Sequence, residues 1–345
     1  KVNNVFVMRG KQQEQVDKMV PGDIGALTKL AKTETGDTLS IKGTNEPLDG
    51  IEFPNPTLSY AISPKSKGDE DKLGNAISKL LEEDKTLKIK KDKETKETIL
   101  SGMGDQHLDI VLERLQAKYG VGVEKATPSV PYRETIRSAV TKIEGKHKKQ
   151  SGGAGQFGHV FIDMAPYPDD EFLFEETIFG GSVPKNYIPA VEKGVREAME
   201  QGVLAKYPVA NIKVTLTDGS YHPVDSNEMA FKIAGSLAFK KAMEKANPIL
   251  LEPFMKVEVT VPEQFMGDIM GDMNSKRGKI LGMEAKGKNQ IIKALAPLSE
   301  MYRYAIDLKS ITQGRGTFTM EFSNYEPIPD HLAGKIIAAR QTNDE

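Results

Sequence analysis

Two polar loops carry the residue types that could do chemistry in this sequence. The first runs from Lys146 to His159 and sets Lys146, Lys148 and Lys149 before Gly152, Gly153, Gly155 and Gly158. Glycine lets backbone amides approach a phosphate closely and the lysines add positive charge, so the loop could cradle an RNA backbone. It lacks the terminal Lys-Ser/Thr of a phosphate-binding P-loop and does not signify nucleotide hydrolysis. Taken singly, a flexible hairpin with solvated lysines is the better account of such a loop. The second runs from Asp218 to Ser226 and holds Tyr221 and His222 among hydroxyls and carboxylates. Those groups can stack on an unpaired base or bond to a ribose hydroxyl. Turn formation and capping of the next helix by Asp225 or Ser226 explain Asp218, Gly219, Asp225 and Ser226 but leave Tyr221 and His222 unexplained.

The remaining candidates have plainer readings. His107, at a helix start beside Asp105, reads as a structural imidazole or one facing a neighbouring domain. His147, His159 and His331 stand singly, with no partner at metal-ligand spacing, so no metal site is expected. The sequence has no cysteine, which removes disulfides, thiolate catalysis and cysteine-ligated zinc together. Patterns of serine hydrolases, zinc proteases and P-loop nucleotidases are missing as well, and no catalytic residue is expected. Met266, Ile269, Met270 and Met273 recur at helical spacing and read as a core stripe.

Positioning such loops takes several cores. A length of 345 residues predicts two or three domains, and 38% hydrophobic with 28% charged residues places the chain among globular proteins. A net charge of −2 does not announce a nucleic-acid binder, so any RNA contact must be local. No run of residues is long and apolar enough for a membrane span and the first residues do not follow a charged-then-apolar pattern, so neither a span nor a secretory signal is expected. The chain opens at Lys1 directly into a strand-like run, which reads as the interior of a longer protein.

Residues 1–55 show short alternating runs broken by Pro21-Gly22 and Gly36-Asp37, the pattern of antiparallel strands and too little to close a barrel. From Pro56 the spacing predicts strand 58–63, helix 69–83, strands 87–91 and 97–103, helix 105–119 and strand 121–126, a β-α-β-β-α-β order. A second copy is predicted from strand 257–261 through helix 263–275, strands 279–285 and 290–297 and helix 300–311 to strand 317–322. Between them, strands 139–143, 159–164 and 211–216 with helices 186–199 and 228–245 predict a separate α+β domain that carries both polar loops.

These loops occur in order with other stretches that resemble elongation factor G. Gln156 to Val160 looks like the first loop of that family's fourth domain, and Gly219 to His222 with Val224 to Ser226 resembles the second. Glu228 to Lys232, Gly181 to Ala190, Leu250 to Val257, Pro297 to Met301 and Phe318 to Phe322 extend the likeness over essentially the whole chain. The resemblance implies an α+β multidomain fold. Residues 1–55 would be the remainder of a second-domain β-barrel (a partial barrel) and 56–135 a ferredoxin-like domain III. Residues 136–247 would form a ribosomal-protein-S5-like domain IV whose tip enters the decoding site, and 248–345 a ferredoxin-like domain V with a short tail.

By the same resemblance, Lys148, Lys149, Gly153, Gly155, Gln156, Tyr221 and His222 would contact ribosomal RNA, with His222 approaching RNA rather than transferring a proton. The family's GTPase domain, which binds GTP and magnesium, finds no counterpart among these residues. No cofactor is therefore expected here, and GTP hydrolysis would belong to the parent. The implied partners are the ribosome, its RNA and proteins, and the tRNA–mRNA complex, met by a cytoplasmic monomer without membrane contact. Three departures from the family pattern point to a divergent paralogue: Ala154 where Arg is usual, Pro223 where Asp is usual, and Asp105-Gln106 for Glu-Leu. The alternatives are a paralogue specialised for ribosome recycling or ribosomal protection, and a stand-alone RNA-binding protein.

Overall fold

A computed structural model of the chain describes residues 4–41, 43, 47–92, 94–149, 155–167 and 171–342. It divides into two compact units, one of residues 1–90 with 98–126, the other of residues 91–97 with 127–345. In the first, β1 (Val5–Arg9) turns through Gly10 into β2 (Gln12–Val16), and β3 (Ala26–Leu27) pairs with the other side of β1. The result is an open three-stranded sheet, not a closed barrel, and Ile24, Ile41, Leu48 and Ile51 beyond its strands are exposed.

The first split unit follows: β4 (Leu58–Pro64), α1 (Glu70–Glu83), β5 (Lys88–Lys91), β6 (Thr98–Gly102), α2 (Asp105–Tyr119) and β7 (Val123–Ala126), in the sheet order β5-β6-β4-β7. Apolar spacing makes the helices: Leu73, Ala76, Ile77 and Leu80 form one stripe and Leu108, Val111 and Leu115 the other, buried with Leu58, Ile62, Leu100 and Val121. Gly120, in the left-handed region at φ 67°, ends α2 by donating its N–H to Gln116 O. His107 holds the rim structurally. Its Nδ1 accepts from Met103 N–H at 3.1 Å, so Nε2 carries the proton and faces Asp84 Oδ2 at 2.9 Å.

In the second unit, β8 (Arg133–Ile136) precedes a domain built from β9 (Val140–Lys149), β10 (Gln156–Pro166), β11 (Phe172–Glu176), α3 (Ile188–Gln201), β12 (Ile212–Ser220) and α4 (Glu228–Lys245). Its sheet order is β11-β12-β10-β9, with β11 parallel to β12. Val160, Ile162, Met164, Val214 and Leu216 from the sheet meet Val191, Val195, Phe231, Phe239 and Met243 from the helices in one core. α4 lies almost backbone to backbone on the sheet. A Cβ on Gly145 would stand 2.1 Å from Ala234 O, and one on Gly158 2.4 Å from Ala230 O, so only glycine fits at either place.

The second split unit is β13 (Pro248–Pro262), α5 (Met266–Ser275), β14 (Lys279–Lys286), β15 (Asn289–Pro297), the short α6 (Leu298–Met301), α7 (Tyr304–Ile311) and β16 (Thr317–Pro327), followed by α8 (Asp330–Thr342). Its order β14-β15-β13-β16 repeats the first unit's topology. Two differences from the sequence reading stand out. The single helix expected over 300–311 is two, broken at Tyr302–Arg303, and β13 is far longer than 257–261 because its first residues pair with β8, Arg133 opposite Leu251 and Ile136 opposite Pro248. Residues 127–135, expected with the first split unit, fall in the second unit for that reason.

Candidate functional site

Those predicted contact residues that the structure describes sit at the end of the sheet where β9 stops, β10 starts and β12 runs out. Register sets Lys149 opposite Gln156, Lys148 opposite Phe157 and His147 opposite Gly158. Because side chains alternate along a strand, Lys146 and Lys148 share the face of Phe157 and His159, opposite the face that meets α4. Lys148 and Lys149 are exposed. Gln156 is partly engaged within the protein, its Oε1 2.8 Å from His147 Nε2. His159, opposite Ser220 in β12, lies 2.8 Å from Ser220 Oγ through Nδ1 and 3.0 Å from Glu144 Oε1 through Nε2.

The loop after β12 folds back on the start of β10 and is tied to it by backbone and hydroxyl groups. Phe157 N–H donates to Asp225 O at 2.9 Å, and Ser226 Oγ donates to Phe157 O at 2.9 Å. The same hydroxyl accepts from His222 N–H at 2.8 Å, while Ser226 N–H donates to His222 O at 3.1 Å. Tyr187, stacked on Phe231 with centroids 4.8 Å apart, donates its hydroxyl to Ser226 O at 3.1 Å. Gly155 completes the fit: a Cβ there would come within 2.7 Å of the Asp225 carboxyl carbon.

This scaffold orients the His222 ring. Its Nδ1 accepts from Val224 N–H at 3.3 Å and Asp225 N–H at 3.1 Å. An Nδ1 used as an acceptor leaves the proton of the neutral ring on Nε2. Asp225 Oδ2 also lies 3.4 Å from Nδ1, but two acceptors do not attract, so the amides and not the carboxylate hold the ring. His222 and Tyr221 are about half exposed, at 51% and 49%. The tip therefore offers a fixed N–H donor and a half-exposed phenol at the end of the sheet that carries two exposed lysines, a set suited to hydrogen bonding and stacking with RNA. Asp218, at the edge of the site, is held below the usual carboxylate range by the nearby Ser182 hydroxyl and by Gly219 N–H, which donates at 2.7 Å. The Ser182 hydroxyl makes no hydrogen bond of ordinary geometry.

Of the sequence-predicted residues, Lys148, Lys149, Gly155, Gln156, Tyr221 and His222 lie at this end of the sheet, while Gly153, like Ala154, falls outside the described residues. Among the organising residues, Phe157 and Tyr187 have no role of their own in the sequence reading, and Ser226 enters it only as a candidate cap. Asp225 and Ser226 read as helix caps, but Asn227 is the cap, its Oδ1 accepting from Ala230 N–H at 2.9 Å. A full set of three candidate caps in a row was the available signal that one was free for another task.

Four family models match the chain in order: Elongation factor G domain 2 over residues 1–42, Elongation Factor G, domain III over 53–127, Elongation factor G, domain IV over 128–247 and Elongation factor G C-terminus over 249–336. A crystal structure of a protein from Thermus thermophilus is similar with a TM-score of 0.84 and 41% identity, over 98% of this chain and 51% of that one. The chain thus spans about half the length of that relative, and the matched models describe non-catalytic domains.

Proposed function

Because this chain belongs to the elongation factor G family, we propose that the tip of its 140–245 domain contacts RNA in the ribosomal decoding site and that the whole protein promotes GTP-dependent advance of tRNA and mRNA. The observation that carries this reading is the cross-tie of the two loops through Phe157, Asp225 and Ser226, which presents Tyr221 and the Nε2–H of His222 outward. A donor fixed in advance loses little freedom on binding, so that contact is made at low entropic cost. Lys148 and Lys149 supply the phosphate attraction that a net charge of −2 withholds elsewhere. GTP and magnesium would be held by a domain of the parent protein other than those matched here, and the working partners would be the ribosome with its RNA, its proteins and the tRNA–mRNA complex, met by a monomer in the cytoplasm.

The test is translocation by the full-length protein with His222→Ala. Loss of the donor leaves an RNA acceptor unpaired, and the rate is expected to fall about 10- to 100-fold with ribosome binding retained. A full-length protein that neither binds ribosomes nor hydrolyses GTP faster in their presence overturns the reading.

A further inference from the structure

A third loop reaches the same end of the sheet. β11 runs parallel to β12, with Glu176 opposite Leu216, so the residues after Glu176 travel toward the tip as Thr217 to Ser220 do. Thr177 N–H continues the ladder to Leu216 O at 2.9 Å, and a Cβ on Gly219 would strike the Val183 side chain at 2.5 Å, which places residues 177–183 along the edge of β12. Within that loop Ile178 packs against the domain core and Val183 is 1% exposed, while Phe179 between them is 93% exposed.

An exposed phenylalanine alone would mean little. Here the exposure is built. Both sides of the ring's backbone are anchored inward, Glu176 Oε2 accepts Ile178 N–H at 2.9 Å, and Gly180 and Gly181 reverse the chain at φ 68° and 74°, values that L side chains resist. The acidic groups beside the loop are already engaged: Glu175 with Lys213 at 2.7 Å, Glu176 with Ile178, and Asp218 with Gly219. Lys185 nearby is exposed. Backbone hydrogen bonds leave the charges of Glu176 and Asp218 in place, so what this loop offers is the ring itself and not a phosphate site.

We propose that Phe179 is a third RNA contact of this tip, its ring stacking on an unpaired base. The inference rests on the reading above and adds to it a residue in a loop that the glycine-rich and Tyr221–His222 loops did not reveal. Stacking tolerates any base, so Phe179 contributes affinity and placement, not base choice.

The test uses the full-length protein bound to purified ribosomes carrying tRNA and mRNA. Phe179→Ala is expected to weaken binding about tenfold and Phe179→Trp to retain it, with folding unchanged because the ring touches no core. A photoreactive benzoylphenylalanine at position 179 is expected to crosslink to RNA, and reverse-transcription stops identify the strand. Unchanged binding by Phe179→Ala, or crosslinks only to ribosomal protein, overturns the inference. In that case RNA crosslinks from the same probe at position 222 leave the parent reading standing, and their absence removes both.

Discussion

The two split β-α-β-β-α-β units share one topology and differ in almost every dimension. In the first, β4 to β7 span 7, 4, 5 and 4 residues; in the second, β13 to β16 span 15, 8, 9 and 11. The short strands suffice to cover two helices, with a leucine-rich core and polar ties such as His107–Asp84 at the rim. The long ones reach further. β13 begins immediately after α4 and pairs with β8, which immediately precedes β9, and Arg137 N–H and Ser138 N–H extend the ladder to Asn247 O and Ala246 O. The domain carrying the candidate site therefore leaves and returns to the second split unit through one paired ribbon. The lesson is that connection order decides topology while strand length decides what the unit is attached to.

A buried carboxylate marks the same contrast. Glu252, 2% exposed in β13, is met by Arg277 Nη2 at 2.9 Å, and Arg277 takes a left-handed backbone at φ 57° to reach it. Glu134 in β8, fully buried, accepts four amides, from Val203 at 2.7 Å, Leu204 at 2.8 Å, Ala205 at 2.7 Å and Tyr207 at 3.1 Å. Glu134 lies on the ribbon between domains and Glu252 one residue past its end at Leu251, and a buried charge at either place must be paired.

Three perturbations probe this comparison. The largest effect belongs to Leu115→Ala in the small first core, which should lose about 4 kcal/mol, read as faster hydrogen exchange throughout α1, α2 and β4 with β13 unaffected. Equal acceleration in β13 would break the distinction. Glu252→Ala should cost about 3 kcal/mol by removing the buried partner of Arg277, a value kept at the low end because Arg277 is 27% exposed and retains Glu300 Oε1 at 3.3 Å. Its exchange signature should appear in β13, β15 and β16, and confinement to the 276–278 turn would show that the ion pair does not hold the long sheet.

The smallest effect is Asp84→Asn, about 1 kcal/mol in thermal unfolding at neutral pH. Burial raises the Asp84 carboxyl, but hydrogen bonds from the Thr86 hydroxyl, Thr86 N–H and His107 outweigh it and leave it below its ordinary value. A lowered folded pKa contributes stability that is complete above the ordinary carboxylate range and is lost as the pH falls through the lowered value. The wild-type advantage over Asp84→Asn should shrink on that acid limb. A difference that stays constant with pH would show that Asp84 acts through shape alone.

Much of the architecture was legible because it is local. The spacing of Leu73, Ala76, Ile77 and Leu80 defines a helix wherever it packs, and two repeats of the same element order defined two split units. β11 escaped because Phe172-Leu173-Phe174 shows no alternation, and its strand state depends on parallel pairing with β12, some forty residues away by the register of Phe172 with Ile212. The full length of β13 escaped because Pro253 interrupts it, yet β8 ends its pairing at Leu251 and β15 begins at Phe254, so the proline falls where the neighbour changes.

At the candidate site, sequence alone determined that Tyr221 and His222 exceed what a turn requires, that lysines and glycines lie in a second loop, and that no thiol or disulfide chemistry is available, since these follow from residue type and nearest-neighbour context. Tertiary structure alone decided that the loops meet, that Asn227 and not Ser226 caps α4, which His222 nitrogen holds the proton, and that the loop carrying Phe179 runs along the edge of β12. The meeting of the loops and the course of the Phe179 loop rest on contacts between residues about forty to seventy positions apart, where no local preference encodes a partner, whereas the cap and the ring proton are settled by bonds two or three residues away for which neighbouring groups compete.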